Sequence, residues 1–371
     1  MAGLYIHIPF CEKKCSYCDF VSYGGRQKYL PSYLLALKNE ALRYRHERID
    51  TVFIGGGTPS LLLAGQMAEL LEFLQENFCI AADAEITVEC NPASLTYSKL
   101  LEYKQAGINR ISIGAQSLSD EVLSEIGRCH TLAQLEEAVN SVKRAGFKNF
   151  NLDLIFALPG QTLMAWEKTL FQALAYQPAH ISCYSLTVEP NTPLGKDVLS
   201  GKLQLPEEET ERAMYAAAGR ILAQHGIFQY EISNYAKTGR ECRHNLNYWL
   251  CGEYIGLGCA AHSYIGGARY RNTENLEEYI AQKDIIRERQ FLSVKDRMEE
   301  RILLGLRMNR GMDIAAFERD FGVSFFGRYK KAVEKNRSCK LLAEDHQFLC
   351  LTEKGRDFAD AVALDFIMEQ E

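Results

Sequence analysis

Short runs rich in branched and aliphatic residues recur through the first half of the chain, separated by amphipathic stretches of helical length. Leu4–Ile8, Thr51–Ile54, Glu85–Cys90, Arg110–Ala115, Asn151–Ala157 and Ile181–Leu186 are the predicted strands. Three junctions share one design: a helix ends at Gly107, Gly146 or Gly226, and Ile108, Phe147 or Ile227 leads on to the next strand. Strand and helix in alternation imply a parallel sheet with helices outside it, so the fold class is α/β, closing wholly or partly into a barrel. Chemistry in such a fold belongs at the C-terminal ends of the strands.

After about Leu292 the pattern changes. Asp296–Met308, Asp313–Phe321 and Phe325–Asn336 have helical spacing, Leu341-Leu342 and Phe348–Leu351 flank a polar turn, and a last helix starts at Glu353. Helices followed by a short hairpin suggest a mostly helical, winged-helix-like domain. The expected organisation is therefore a barrel over 1–235, a connecting segment over 236–292 and a C-terminal domain over 293–371. Packing or lid duty is favoured over DNA binding for that domain, because a net charge of −6 leaves no basic recognition stripe.

With 371 residues and 47% hydrophobic composition, the chain can bury a large core. Its longest apolar runs fall far short of the roughly 20 residues a membrane helix needs, and the N-terminus enters a strand without a basic segment or apolar signal core. The expectation is a cytoplasmic protein without nucleic-acid partners or a transmembrane segment. The 12 cysteines, diluted over this length, read as reduced thiols rather than a disulfide framework.

Only Cys11, Cys15 and Cys18 are tightly clustered, and they follow the first strand directly. Three thiolates from one loop would leave one iron of a cubane cluster without a protein ligand, open to a cofactor. Zinc is the competing occupant, but it wants four closed ligands and would have to recruit His7 or Asp19.

Tyr5-Ile6-His7-Ile8-Pro9-Phe10-Cys11, followed by Cys15 and Tyr17-Cys18-Asp19-Phe20, resembles the radical S-adenosylmethionine superfamily, in its oxygen-independent coproporphyrinogen oxidase branch. The resemblance runs over essentially the whole chain. It implies a partial (β/α) barrel of the radical S-adenosylmethionine type. It also implies a [4Fe-4S] cluster on Cys11, Cys15 and Cys18, with S-adenosyl-L-methionine chelating the open iron through its amino and carboxylate groups. The same comparison assigns cofactor contacts to Gly56, Gly57 and Thr58 in Gly55-Gly56-Gly57-Thr58-Pro59, where backbone can approach a ligand closely, and to Glu89 in Glu89-Cys90-Asn91-Pro92. Gln116, Arg128 and Asp153 match contacts to a second S-adenosylmethionine, and Tyr5 and Tyr17 match aromatic contacts. Each has a plainer alternative: Asp153 can pair with Arg128 or cap a helix, and Gln116 can satisfy buried backbone.

Two features separate the chain from the oxidase. Phe20 stands where the oxidase has a further cysteine, and the chain begins too close to Cys11 to include the oxidase's N-terminal extension. Cys18-Asp19-Phe20 and the stretch Arg243-His244-Asn245-Leu246-Asn247-Tyr248-Trp249 are similar to the HemW group of heme chaperones, whose motif is His-Asn-x-x-Tyr-Trp. That resemblance implies heme as a further bound group, with His244 as a candidate axial ligand and Cys242 as a rival. A core histidine with a packed aromatic pair is the competing reading. Heme-accepting respiratory proteins are the implied partners; a homodimer, and peripheral membrane contact through those acceptors, are left open. Coproporphyrinogen oxidase activity is not expected. The alternatives are a coproporphyrinogen III dehydrogenase using a 5'-deoxyadenosyl radical, and a zinc-stabilised binding module.

Overall fold

The structure is a computed structural model that describes residues 2–343, 345 and 347–368. Six strands lie side by side in chain order and run parallel: β1 (Ala2–Ile8), β2 (Arg48–Gly56), β3 (Cys79–Cys90), β4 (Arg110–Gln116), β5 (Phe150–Phe156) and β6 (His180–Ser185). All six expected strands are present. Past β6 the sheet continues with antiparallel β7 (Phe228–Glu231) and β8 (Asn234–Ala236), β8 being the inner of the two. Beyond β1 come β9 (Tyr254–Leu257), parallel to it, and antiparallel β10 (His262–Ile265), β11 (Ala268–Asn272) and β12 (Ile286–Phe291). The twelve-stranded sheet keeps β12 and β7 as separate edges, so the barrel is partial. Segment 236–292, expected as a connector, thus supplies four strands of the main sheet.

Helices α1 (Leu30–Ala41), α2 (Ala64–Asn77), α3 (Tyr97–Gln105), α4 (Leu132–Arg144), α5 (Leu163–Ala175) and α6 (Glu208–Gln224) return the chain from one strand to the next. The α4 sequence shows why: Thr131 and Gln134 form a reciprocal capping box, and Leu135, Ala138, Val139 and Val142 make one buried stripe. It ends at Gly146, whose φ of +78° lets the Phe147 N–H reach the Val142 carbonyl at 3.1 Å. Gly107 and Gly226 close α3 and α6 the same way, through Ile108 to Tyr103 and Ile227 to Leu222.

Residues along each strand alternate between two unlike faces. Leu4, Ile6, Val52, Ile54, Ile111, Ile113, Leu152, Leu154 and Ile181 are fully buried and form the core with the helices. The opposite, inner face is polar, carrying Tyr5 and His7, Glu85 and Glu89, Arg110 and Ser112, Asn151 and Asp153, His180 and Ser182. Strand register stacks these side chains in layers, with Glu89 beside Ser112, Gly114 beside Asp153, and Asp153 beside Ser182.

A short helix, α7 (Arg243–Trp249), leads into β9. The C-terminal region folds about its own apolar cluster, which includes Met298, Ile302, Phe317, Phe325, Tyr329 and Phe366. Its helices are α8 (Val294–Gly305), α9 (Ile314–Phe321), α10 (Phe325–Arg328), α11 (Lys330–Ser338), α12 (Glu353–Arg356) and α13 (Ala359–Met368). The helix expected over Phe325–Asn336 is broken at the fully buried Tyr329, whose backbone turns out of helical geometry (φ −112°, ψ 31°). Phe348–Leu349 pairs with Met312–Asp313, and Leu342 bridges to Leu351. The expected polar turn includes positions 344 and 346, which lie outside the described residues.

Candidate cofactor site at the strand ends

Beyond Ile8 the chain crosses the mouth of the sheet and presents Cys11, Cys15 and Cys18, all partly buried. Backbone hydrogen bonds fix this loop: Tyr23 N–H to Pro9 O at 2.7 Å, Thr58 N–H to Phe10 O at 2.8 Å, and Ser16 N–H to Ile126 O at 3.1 Å. The glycine turn after β2 packs against the loop's root. A β-carbon on Gly57 would lie 2.8 Å from the Phe10 carbonyl oxygen, and one on Gly56 would lie 2.5 Å from the His7 ring. Gly56 also has φ +108°. These glycines are therefore required by the fold itself, a stronger reason than the expected close approach of ligand.

The three cysteines share a cavity of about 560 Å³ with Tyr17, Gly56, Gly57, Thr58, Glu89, Gln116, Arg128 and Asp153. Eleven of the thirteen residues singled out from sequence thus meet on one wall, each from a strand end or the loop beyond it. Gly114, Tyr184, Lys13, Lys14, Phe20 and Leu61 complete much of the lining and were not assigned from sequence. Tyr184 was within reach of the strand-end rule, because register places it beside Ile155 near the end of β5.

Arg128 donates to the Gly114 carbonyl at 2.6 Å and towards Cys15 Sγ at 3.6 Å, while Thr58 Oγ1 donates towards Cys11 Sγ at 3.5 Å. Arg128 makes no ion pair with Asp153, whose carboxylate instead accepts from Asn151 at 2.8 Å and Ser112 at 3.1 Å. Gln116 holds a left-handed backbone (φ +63°), an unfavourable conformation for a non-glycine residue. Burial raises the Cys18 thiol, and Cys15 and Cys11 add to the rise, which places the three sulfurs within electrostatic reach of one another. Glu89 accepts from the Gly56 N–H at 3.0 Å. Its carboxyl is pushed up to about 7, first by burial and then by the facing Asp153. Burial raises Asp153 as well.

These residues fit a thiolate-held cluster and a ligand carrying positive charge and hydroxyl groups. The sulfurs already receive donors, and two buried carboxylates face each other across a space that a cation or hydrogen-bond donor would settle. Of the two candidates for a fourth zinc ligand, Asp19 lines the cavity with the cysteines, whereas His7 is engaged elsewhere. That imidazole donates from Nε2 to Val21 O at 2.8 Å and accepts at Nδ1 from the Tyr5 hydroxyl at 2.9 Å. Among the described residues no three His, Cys, Asp or Glu side chains, the loop cysteines included, are already drawn together around one metal-ion position.

Tyr5 and His244 are the two assignments the structure does not bring to the cavity wall. Tyr5 sits on the inner face of β1 below His7, near-parallel to Phe53 with ring centres 6.3 Å apart, so it supports the wall from beneath. His244 lies lower still, 1% exposed, its Nδ1 bonded to Thr51 Oγ1 at 2.8 Å and its Nε2 to Tyr248 Oη at 2.9 Å. It stacks on Phe53 at 5.2 Å, and burial pushes its imidazolium down to about 3. Ligation of an iron by His244 would require one of those bonds to break and the floor of the barrel to open. Cys242 is no substitute: it is fully buried and its thiol is pushed up to about 12, against formation of thiolate. The packed-aromatic reading holds for Tyr248, which meets Tyr254 edge to face at 4.7 Å. Trp249 carries the Arg307 guanidinium over its ring at 4.5 Å, joining α7 to the C-terminal region.

Residues 5–173 match the family model of the radical SAM superfamily, and residues 292–358 match that of the HemN C-terminal domain. Fold and site together define a radical S-adenosylmethionine protein of the HemN type. Coproporphyrinogen III oxidase from Escherichia coli has the same fold, with a TM-score of 0.86 at 24% identity over 98% of this chain and 89% of that one. Heme chaperone HemW of Bacillus subtilis (strain 168) is 37% identical over 100% of both chains. HemW of Lactococcus lactis is 36% identical over 98% of this chain and 97% of its own, and that of Escherichia coli is 42% identical over 71% and 70%. The chain belongs to the HemW family of heme chaperones. Among the described residues no helix is long and apolar enough to cross a membrane.

Proposed function

We propose that this chain binds heme and delivers it to heme-accepting respiratory proteins, with a [4Fe-4S] cluster on Cys11, Cys15 and Cys18 and S-adenosyl-L-methionine held in the cavity beside it. The observation that carries the cofactor part is the meeting of those three thiols with Glu89, Gln116, Arg128 and Asp153 in one cavity at the strand ends. Glu89 and Asp153 are acceptors for the hydroxyl and ammonium groups of the ligand, Arg128 holds the loop near Cys15, and Thr58 donates towards Cys11. When bound, the cluster supplies an electron and an open iron to S-adenosylmethionine. The heme part is supported by the full-length similarity to HemW proteins, and does not depend on His244.

One set of measurements on anaerobically reconstituted protein tests this. The protein should hold about four irons per chain, bind heme with a distinct absorption band, and pass it to an apo-acceptor on mixing. Supplied with reductant and S-adenosylmethionine, it should form no protoporphyrinogen. Rapid conversion of coproporphyrinogen III would replace the carrier with the radical dehydrogenase, and bound zinc without acid-labile sulfide would replace the cluster.

A further inference from the structure

Beneath the cavity, the inner-face side chains of β4, β5 and β6 form a hydrogen-bonded chain that ends at Asp153. Tyr230 Oη accepts the backbone N–H of Cys242 at 3.2 Å and lies 2.8 Å from His180 Nε2. His180 Nδ1 is 2.7 Å from Asn151 Oδ1, and Ser182 Oγ donates to that same oxygen at 3.2 Å. Asn151 Nδ2 donates to Asp153 Oδ1 at 2.8 Å and to Ser112 Oγ at 2.8 Å, and Ser112 donates in turn to Asp153 Oδ2 at 3.1 Å. An amide oxygen only accepts, so His180 carries its proton on Nδ1 and takes the Tyr230 hydroxyl proton at Nε2. Burial and the nearby Arg110 keep this imidazole neutral. Asn151 is locked in one flip state, since reversing the amide would set its oxygen against Asp153 and its NH2 against the donors on His180 and Ser182.

We propose that Asn151 and His180 are positioning residues for the ligand of Asp153: Asn151 bonds Oδ1 and orients Ser112, which bonds Oδ2, while His180 holds the Asn151 amide from below, leaving the remaining carboxylate lone pairs for the hydroxyl or ammonium donors of the nucleoside cofactor. Both residues are buried, at 1% and 0% exposure, and neither lines the cavity, so they act only through Asp153. The relay also explains why the inner face is polar here. Each side chain completes its neighbour's hydrogen bonding, and the last acceptor capacity emerges at the cavity. The inference rests on the reading of the cavity as an S-adenosylmethionine site.

The test is equilibrium binding of S-adenosylmethionine to anaerobically reconstituted protein, with iron counted in every sample. His180→Ala removes one of the two donors to the Asn151 amide oxygen, leaving that of Ser182, and so loosens the amide beneath Asp153; it should weaken binding about tenfold at unchanged iron content, roughly the worth of one well-placed hydrogen bond. His180→Asn keeps a side-chain N–H near the place of Nδ1 and should restore affinity to within about threefold of wild type. In an Asp153→Ala background, His180→Ala should produce no further loss, because its effect passes through the missing carboxylate. Equal losses in both backgrounds, or an Asn variant as weak as the Ala variant, would overturn the proposal and leave a packing role. Should His180→Ala fail to fold, Tyr230→Phe removes the hydroxyl that donates to His180 Nε2 and accepts the Cys242 N–H, leaving the His180–Asn151 bond in place. It must weaken binding in the wild-type background alone, and unchanged affinity there overturns the proposal equally. Wild-type protein that carries its cluster yet binds no S-adenosylmethionine would instead refute the underlying assignment of the cavity.

Discussion

Glu89→Gln tests the electrostatics of the cavity directly. The folded carboxyl titrates at about 7 against 4.5 for an ordinary glutamate, with burial as the main cause and Asp153 as the second. A group whose value is raised on folding costs stability as pH rises. Below 4.5 both states are protonated and nothing is lost; above 7 both are ionised and the full cost is present. The gap between 4.5 and about 7 corresponds to about 3 kcal/mol at about 1.4 kcal/mol per pH unit. The glutamine keeps an oxygen that can accept the Gly56 N–H, now made at 3.0 Å, and removes the charge. Cluster-free Glu89→Gln protein should therefore be more stable than wild type by about 2–3 kcal/mol at pH 8 and nearly equal to it at pH 4.5, read by urea unfolding at both values. In the reconstituted protein the same change should weaken S-adenosylmethionine binding, since a negative acceptor is lost. A stability difference that did not change with pH, or a variant less stable at pH 8, would refute the assignment of a strained carboxylate at the wall.

Cys11→Ala, Cys15→Ala and Cys18→Ala should each abolish a stable four-iron cluster; iron and sulfide counts after reconstitution check this, and unchanged content removes that residue from the ligand set. Gly56→Val should lower the melting temperature and the iron content together, because the added side chain meets the His7 ring beneath the cysteine loop; a variant with normal iron and weakened cofactor binding alone would show that the ligand, and not the fold, requires the glycine. His244→Ala should leave the heme absorption spectrum intact while costing about 2–4 kcal/mol at pH 8, from the orphaned Thr51 and Tyr248 hydroxyls. Because the folded imidazole titrates at about 3 against 6.5, wild type should lose about 2 kcal/mol through this group between pH 6.5 and pH 5, as the unfolded chain takes up a proton the folded chain refuses. The alanine variant should lack that slope, and a changed heme spectrum in it would reinstate His244 as a ligand.

The parallel strands were legible because their outward residues form unbroken apolar alternations, as in Leu4, Ile6 and Ile8, and the Gly-plus-apolar helix ends mark where strands resume. The wall of the site was legible for a related reason: in a parallel sheet, whatever follows a strand arrives at the same mouth. The four strands within 254–291 were not legible. They are short, β12 is largely exposed, and Gly266-Gly267 alone announces their hairpin. The relay under Asp153 left a signal that went unread, the polar residues Ser112, Asn151, Asp153, His180 and Ser182 recurring at alternate positions of otherwise apolar strands. A polar inner face in a buried sheet is costly unless every group is paired, so such alternation points to a hydrogen-bonded network.

The His-Asn-x-x-Tyr-Trp stretch shows how a motif that identifies a family can also have a structural part to play. Imidazole ligates heme iron often enough that a histidine beside aromatics invites that assignment. A ligand needs a free lone pair and a path for the porphyrin; in this structure both His244 nitrogens are bonded, and Phe53, Tyr5 and Tyr248 surround the ring. What the helix does have is a contact on each side of it. Cys242 and the His244 N–H meet Glu85 on β3, at 3.5 and 3.2 Å, and His244 meets Thr51 on β2. Trp249 meets Arg307, which faces the fully buried Glu231 of β7 at 3.8 Å. A partial barrel leaves its floor open, and its polar inner face would be hydrated from below. A helix that supplies a histidine, a tyrosine and a tryptophan in two turns can seal that floor and tie it to the next domain. Water is thereby kept from the relay that ends at Asp153, and the carboxylates at the mouth stay in the low-dielectric surroundings that raise Glu89 and make a cationic ligand favourable there.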